Sequence, residues 1–194
     1  MQHKQAHFIY QVPIAIILVL ELVADKNVHE HFQIDAEGFI GESFINFDTS
    51  GVPANATISS AVCEISGASE NEDDDFDIQV RLHNWGPTLT TSDWVINTSL
   101  SGKTLLAHLA TTSFGTGYNT FVDDAFAANV VKAGTTYVLL NSSRHLAGTP
   151  VTAGRQEWVR MDTGSATNKP KLTVTYTTGS TGFTGMVVTR ELRG

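Results

Sequence analysis

The side chains best suited to recognition chemistry lie near the middle of the chain, where Arg81, His83 and Trp85 occupy every second position. In a β-strand, this alternation places Arg81 and His83 on the polar face, and Trp85 lies beside them. An indole ring stacks on the apolar face of a sugar, while a guanidinium and an imidazole hydrogen-bond to hydroxyl groups. Together with Trp158 and Tyr118, these residues predict a platform for a glycan. Packing of the same rings in or around the core is the competing interpretation.

Nucleophilic catalysis finds little support in the sequence. The chain has no G-x-S-x-G elbow of the kind that presents a catalytic serine. Cys63 is the single cysteine, and it lies in an apolar strand pattern with no adjacent base, which is typical of a buried small residue. The loop around Gly115 and Gly117 has neither a βαβ unit nor a Walker lysine, so we interpret it as a tight turn. The sequence therefore predicts that the protein is not an enzyme.

Metal binding is indicated only weakly. An acidic run has the hard oxygen ligands that calcium prefers, but its spacing matches no known calcium loop, and a solvated hairpin tip is the favoured interpretation. His29 and His31 would share one face of a strand, yet no third ligand is near them in the sequence. We therefore predict no cofactor, with calcium at the acidic run as the one alternative. The acidic run consists of Glu70, Glu72, Asp73, Asp74, Asp75 and Asp77.

The elements that must position these side chains are short strands. Phe76, Ile78, Val80 and Leu82 alternate with polar residues, which predicts a strand with one face on a core and the other in solvent. Turn residues separate several further segments of this kind, and 123–132 permits one helical turn. About eight strands are predicted, over 43–47, 57–65, 76–82, 105–109, 137–141, 156–161, 171–177 and 186–190. The pattern indicates an all-β, antiparallel β-sandwich of jelly-roll type.

Length and charge limit the class of protein further. A chain of 194 residues suits a single domain that can bury a core without disulfides or metals. The net charge of −8 leaves no basic surface on which a nucleic acid backbone could release its counterions, so nucleic acid is not an expected partner. Charged residues make up only 16% of the chain, which is rich in Thr, Ser, Gly and Asn. Such a composition favours strands and turns over long helices.

Both ends of the chain extend beyond the predicted sandwich. Residues 1–38 form an N-terminal arm, 39–178 the sandwich, and 179–194 a Gly-rich joint and C-terminal tail. Within the arm, residues 12–24 are strongly apolar but too short for a membrane span, and Glu21 interrupts the run. Three interpretations stay open for them: a segment like a secretory signal, a first strand or helix of the core, or an arm that docks on a neighbour.

The stretch 43–65 resembles the opening of the DNRLRE-type jelly-roll module, a family related to carbohydrate-binding modules. Pro170, Leu172, Val174 and Tyr176 resemble the closing strand of that family, and Trp94 resembles its mid-chain tryptophan. The resemblance implies a β-sandwich found on extracellular and virion surface proteins, and it implies no catalysis. The matching residues of the opening are Phe44, Phe47, Asp48, Pro53, Ala56, Thr57, Ile58, Ser60 and Ala61.

Two functions follow as hypotheses. The first is a structural surface protein, such as a capsid decoration or tail-associated component of a virion, that assembles as a homo-oligomer or with other proteins through its two extensions. The second is a secreted carbohydrate-binding or adhesion module that uses the predicted glycan platform. Both hypotheses place the protein outside the cell or on a virion surface.

Overall fold

Thirteen strands, most of them short, dominate the described part of the chain. The computed structural model describes residues 5–11, 21–23, 29–34, 39–71, 73–149, 157–162, 168–178 and 186–193, with side chains in 41–71, 73–149, 158–161 and 168–178. The strands are β1 Gln5–Gln11, β2 Glu21–Val23, β3 His29–Ile34, β4 Phe39–Asp48, β5 Ala56–Asn71, β6 Asp77–Leu82, β7 Leu105–Ala110, β8 Gly117–Thr120, β9 Val122–Asp123, β10 Thr135–Ser142, β11 Glu157–Asp162, β12 Lys171–Thr178 and β13 Met186–Arg193. The helices are α1 Asn97–Leu100, α2 Phe126–Asn129 and α3 Ser143–Ala147.

The strands form two antiparallel sheets that pack face to face, which confirms the predicted all-β sandwich. Sheet A has the order β2-β1-β4-β10-β6-β7-β9, and sheet B has the order β13-β12-β5-β11-β3, with β8 paired to β5. Each of the eight predicted strands is present, and α2 falls inside the predicted helical turn. The additional strands are β1, β2, β3, β8 and β9. The jelly-roll connectivity stays a prediction.

The main core lies between the two sheets and is almost entirely apolar. On β12, Leu172 and Val174 are fully buried and Tyr176 nearly so, whereas the residues between them are partly exposed. This is the alternation that the sequence predicts. Phe47 on β4 and Ile65 on β5 face the same core and are likewise fully buried.

Strands from both ends of the chain are added to the sandwich. β1 pairs with β4, and β13 pairs with β12 over its full length, from Met186 to Arg193. The tail therefore contributes an extra strand to sheet B. Of the apolar run 12–24, only the short strand β2 lies within the described residues. No helix in the described part of the chain is long and apolar enough to cross a membrane.

One sequence-based expectation about the faces of sheet A is wrong. The polar face of β6 was expected in solvent, but Gln79 and Arg81 are only 8% and 5% exposed. The reason is that residues 84–104, which make up most of the long connection between β6 and β7, fold back over this outer face of sheet A. We call residues 84–104 the strap. Its apolar side chains and those of the sheet form a second buried cluster, the strap core, made of Phe44, Trp85, Leu89, Val95, Leu100 and Leu139.

Candidate functional site

The five predicted glycan-platform residues separate into two groups on opposite sides of the sandwich. Arg81, His83 and Trp85 come together on the outer face of sheet A, beneath or within the strap. Tyr118 on β8 and Trp158 on β11 lie on the outer face of sheet B. The structure therefore brings three of the five together and places the other two elsewhere.

Trp85 is packed as a core residue. Its ring is 6% exposed and meets Tyr137 edge-on with centroids 4.9 Å apart, and Phe44 edge-on at 6.4 Å. Edge-to-face packing of this kind stabilises an aromatic cluster beyond the area that it buries. The ring faces are covered by protein, so Trp85 fits the competing interpretation of core packing in the described conformation.

Arg81 fastens the end of the strap to the sheet. Its guanidinium donates hydrogen bonds to the carbonyl of Lys103 at 2.7 Å, to that of Leu100 at 3.3 Å, and to Oε1 of Gln79 at 2.9 Å. Asn141 on the neighbouring strand donates to the same Gln79 oxygen at 3.2 Å. A buried guanidinium needs such acceptors, because desolvating an unpaired charge is very costly.

His83 is held between two groups of the strap. The ammonium of Lys103 lies 2.9 Å from Nδ1, and the carbonyl of Asp93 lies 2.9 Å from Nε2. Since an ammonium can only donate, Nδ1 accepts and Nε2 carries the hydrogen that is donated to Asp93. Burial lowers the pKa of His83, an effect that the Lys103 charge reinforces and the Asp93 carbonyl opposes. The imidazole is therefore neutral and its orientation is fixed.

A buried carboxyl and imidazole lie beside this group, and sequence reasoning did not identify either of them. Glu42 on β4 is fully buried, His145 on α3 is 3% exposed, and Oε1 of Glu42 is 3.5 Å from Nδ1 of His145. The backbone N–H of Val95 in the strap donates to Oε2 of Glu42 at 3.1 Å. The ring of Trp94 lies against His145 with centroids 5.4 Å apart. We call Glu42 and His145 together the Glu42–His145 pair.

Burial makes both members of the pair neutral near pH 7. It raises the pKa of Glu42 to about 8, although the Val95 hydrogen bond and the Lys103 charge act in the opposite direction. It also lowers the pKa of His145 to about 4. An acid with a raised pKa beside a base with a lowered one is an arrangement found at acid–base sites. Here the strap seals both groups from solvent, so in this conformation the pair is a structural contact.

The same face holds a concentration of buried polar atoms without a hydrogen-bond partner in the described structure. Buried polar groups are nearly always hydrogen-bonded in native proteins, so a cluster of exceptions marks a region that packing alone does not explain. The separation of 3.5 Å in the Glu42–His145 pair is at the outer limit of a hydrogen bond. The atoms are Glu42 Oε1, Arg81 Nε, Trp85 Nε1, Asn141 Oδ1 and His145 Nδ1.

Tyr118 and Trp158 share the outer face of sheet B. Tyr118 is paired with Ser66, its hydroxyl donates to the carbonyl of Lys169 at 3.0 Å, and the Lys171 ammonium lies 3.5 Å above the ring centroid. Trp158 alternates with the buried Val159 and is partly exposed on the same side. Their pairing partners on β5, Ser66 and Asn71, are roughly 16 Å apart, at about 3.3 Å per residue.

No group of three or more ligands that could hold a metal ion is present among the described residues. Within the acidic run, Asp74 forms an ion pair with Arg144, with Oδ2 and a guanidinium nitrogen 3.2 Å apart, while Glu72 lies outside the described residues. His29 and His31 are at alternate positions of β3, and their side chains also lie outside the described part. Calcium at the acidic run stays a prediction.

Cys63 is buried, as the sequence predicts. It lies on β5 facing the main core and is 2% exposed. Burial raises the pKa of its thiol to about 12, so the thiolate that nucleophilic chemistry needs is almost absent at neutral pH.

Comparison of the chain with protein-family models, with curated proteins and with solved structures finds no match. The resemblance to the DNRLRE-type module therefore stays a prediction carried by its residues. Of the residues that carry it, Asp48 accepts a hydrogen bond from the Ser50 amide at 3.0 Å, and Ala61 is buried in the main core.

Proposed function

We propose that this chain is a non-enzymatic structural surface protein that assembles with neighbouring subunits through its terminal extensions, as a capsid decoration or tail-associated component of a virion does. The observation that carries the proposal is the position of the terminal strands. β1 and β13 are both attached to the sandwich by strand pairing, one on each sheet.

Strands attached in this way are suited to exchange between subunits. β13 pairs with β12 through eight successive residues, and the preceding segment 179–185 contains three glycines. A strand that pairs with the edge of its own sandwich can pair equally with the same edge of an identical neighbour, and exchange of this kind is a low-cost route to an oligomer. At the other end, the β1–β2 hairpin has the same relation to β4.

Sheet edges add a second route to assembly. β13 ends sheet B on one side and β3 on the other, with eight and six residues respectively. An edge strand presents unpaired backbone donors and acceptors to any chain that reaches it. β13 contains no proline, which would interrupt such pairing.

The assembly test compares the full chain with two deletions, one of residues 1–25 and one of residues 179–194. Sedimentation velocity over a hundredfold range of concentration should show oligomers for the full chain and monomers for at least one deletion. The buried thiol of Cys63 reports whether the sandwich stays folded. If the full chain is monomeric throughout, or if each deletion exposes Cys63, the extensions are ordinary parts of the core and the proposal is wrong.

A carbohydrate-binding or adhesion function is the second candidate, and Tyr118 and Trp158 favour it. Two partly exposed aromatic rings on one sheet face, with Lys171 over the ring of Tyr118, can stack on the rings of an extended oligosaccharide. A glycan array, run with calcium and with chelator, tests this candidate. Binding that Trp158→Ala abolishes would support it, and the absence of binding in both conditions would exclude it.

A further inference from the structure

The strap is fastened to sheet A by apolar anchors and by polar contacts from three side chains of different chemical character. Arg81 binds two strap carbonyls, His83 binds the carbonyl of Asp93, and Glu42 accepts from the amide of Val95. The Arg81 contacts do not titrate in the physiological range. The Glu42 contact differs from the other two because its carboxyl also meets His145, so that it joins β4, the strap and α3.

We propose that the Glu42–His145 pair is a latch that holds the strap over the outer face of sheet A near neutral pH and releases it as the pH rises. Opening would uncover a face that combines aromatic and hydrogen-bonding groups, including Arg81 and Tyr137. The proposal is independent of assembly through the terminal strands.

Among the described residues, the charged groups nearest the latch already have other partners. The Lys103 ammonium attracts an ionised Glu42 but is already held by His83, and the carbonyls of the strap occupy Arg81. On β1, the residue paired with Glu42 is the uncharged Phe8. The other charged or titratable groups on the elements packed around the latch are Arg81 within β6, His83 directly after it, Asp93 and Lys103 on the strap, and Arg144 on α3. Arg144 forms an ion pair with Asp74, away from the latch.

The direction of the pH effect follows from proton linkage. The pKa of Glu42 is about 8 in the closed form and takes its ordinary value of 4.5 in the open form. The closed-to-open ratio therefore falls tenfold per pH unit between pH 4.5 and 8. The pKa of His145 is about 4 in the closed form and 6.5 ordinarily. His145 therefore raises the closed-to-open ratio tenfold per pH unit between pH 4 and 6.5. The two effects cancel from pH 4.5 to 6.5. From pH 6.5 to 8, only the Glu42 effect remains, and the ratio falls about thirtyfold in total.

Native-state amide exchange of the full chain measures this ratio directly. The Val95 amide, which Glu42 holds, reports opening of the strap, and the protection factors of β5 amides report opening of the main core. After correction for intrinsic exchange, the protection factor of Val95 should fall about thirtyfold between pH 6.5 and 8. Cys63 should stay unreactive towards a thiol reagent while Val95 exchanges.

Two variants and a control separate the latch from other causes. Glu42→Gln keeps the shape and the acceptor for Val95 but cannot ionise, so the fall above pH 6.5 should disappear. His145→Gln removes the compensating effect, so protection should fall across the whole range from pH 4.5 to 8. Glu64→Gln is the same chemical change on sheet B and should behave as the unaltered protein does.

The proposal is wrong if Val95 protection does not change between pH 6.5 and 8, or if Glu42→Gln retains the same fall. It is also wrong if Val95 and the β5 amides exchange at one common rate while Cys63 reacts, since the strap would then open only when the whole sandwich unfolds. Should Glu42→Gln fail to fold, the His145→Gln profile decides: a flat profile from pH 4.5 to 6.5 contradicts the latch.

Discussion

The main core and the strap core lie on opposite faces of the same strands, yet they are built differently. Phe47 faces the main core from β4 and Phe44 faces the strap core, and both are almost completely buried. Around Phe47 the neighbours are apolar, with Phe126 at 6.3 Å between ring centroids. Around Phe44 they include an imidazole, that of His83, at 6.0 Å. Burial alone therefore does not distinguish the two cores, whereas polarity does.

The difference reflects what covers each face. Sheet B covers the inner face of sheet A with regular strands, whose backbone groups are already paired in the ladder. The strap covers the outer face with irregular chain, whose carbonyls and amides need partners from the sheet. Arg81, His83 and Glu42 supply them. We infer that the polar residues of the strap core are present because irregular backbone has to be satisfied there.

Truncation of Phe47 and of Phe44 should give the largest difference in stability between the two cores. Phe47→Ala should cost about 3–5 kcal/mol of global stability, because it leaves a cavity in the main core. Phe44→Ala should cost less globally, since the strap can open while the sandwich remains folded, and it should selectively lower the protection of Val95. Urea unfolding with amide exchange measures both effects. Equal global losses, with no selective change at Val95, would show that the two cores form one cooperative unit.

Much of the main core could be predicted from the sequence. Alternation in β6 and β12 predicts which of their residues face the main core, because regular strands present every second residue to one side. The strands β8 and β9 could not be recognised, because segments of four and two residues carry too little alternation. β1 and β3 depend on pairing with distant strands, which no local pattern reveals.

The candidate site was only partly predictable. The alternation of β6 placed Arg81 and His83 on one face with Trp85 beside them, but the exposure of that face depended on the strap, whose path is fixed by tertiary contacts. One signal was available: Val138, Leu139 and Leu140 form an uninterrupted apolar run, which is typical of a strand buried on both faces. Nothing local distinguishes Glu42 or His145, because their burial comes from the strap and α3.

Gly67 tests how closely the main sandwich is packed. A Cβ at this position of β5 would lie 2.2 Å from the Gly115 carbonyl oxygen and 2.6 Å from the Phe114 ring. Gly67→Ala should therefore cost about 1–3 kcal/mol, because backbone has to move. Gly115→Ala is the matched control, since a Cβ there meets nothing within 4 Å. Thermal unfolding measures both variants, and equal stability of the two would contradict the close approach.

Loss of the α3 cap should have a smaller effect that falls on the strap core. The Ser142 hydroxyl accepts from the His145 amide at 3.0 Å and fixes the start of the helix that carries the imidazole. Ser142→Ala should cost about 0.5–2 kcal/mol. Because α3 contacts α1 in the strap, Val95 protection should fall as well. Ser101→Ala, which alters an exposed hydroxyl at the end of α1, serves as the control. A loss of stability without any change in Val95 protection would show that α3 does not stabilise the strap.

The smallest effect is expected at His108, a polar residue on the outer face of sheet A. His108 on β7 is paired with Gln79 and so shares the outer face of sheet A, but the strap does not seal it. Its Nδ1 lies 2.6 Å from Oδ2 of Asp124, and both side chains are about a third exposed, at 34% and 30%. Asp124→Asn should change stability by no more than about 1 kcal/mol, because water and salt screen an exposed pair. Urea unfolding at low and high salt checks this. A loss of stability as large as that of Phe44→Ala would mean that cover by the strap is not what distinguishes Glu42 from His108.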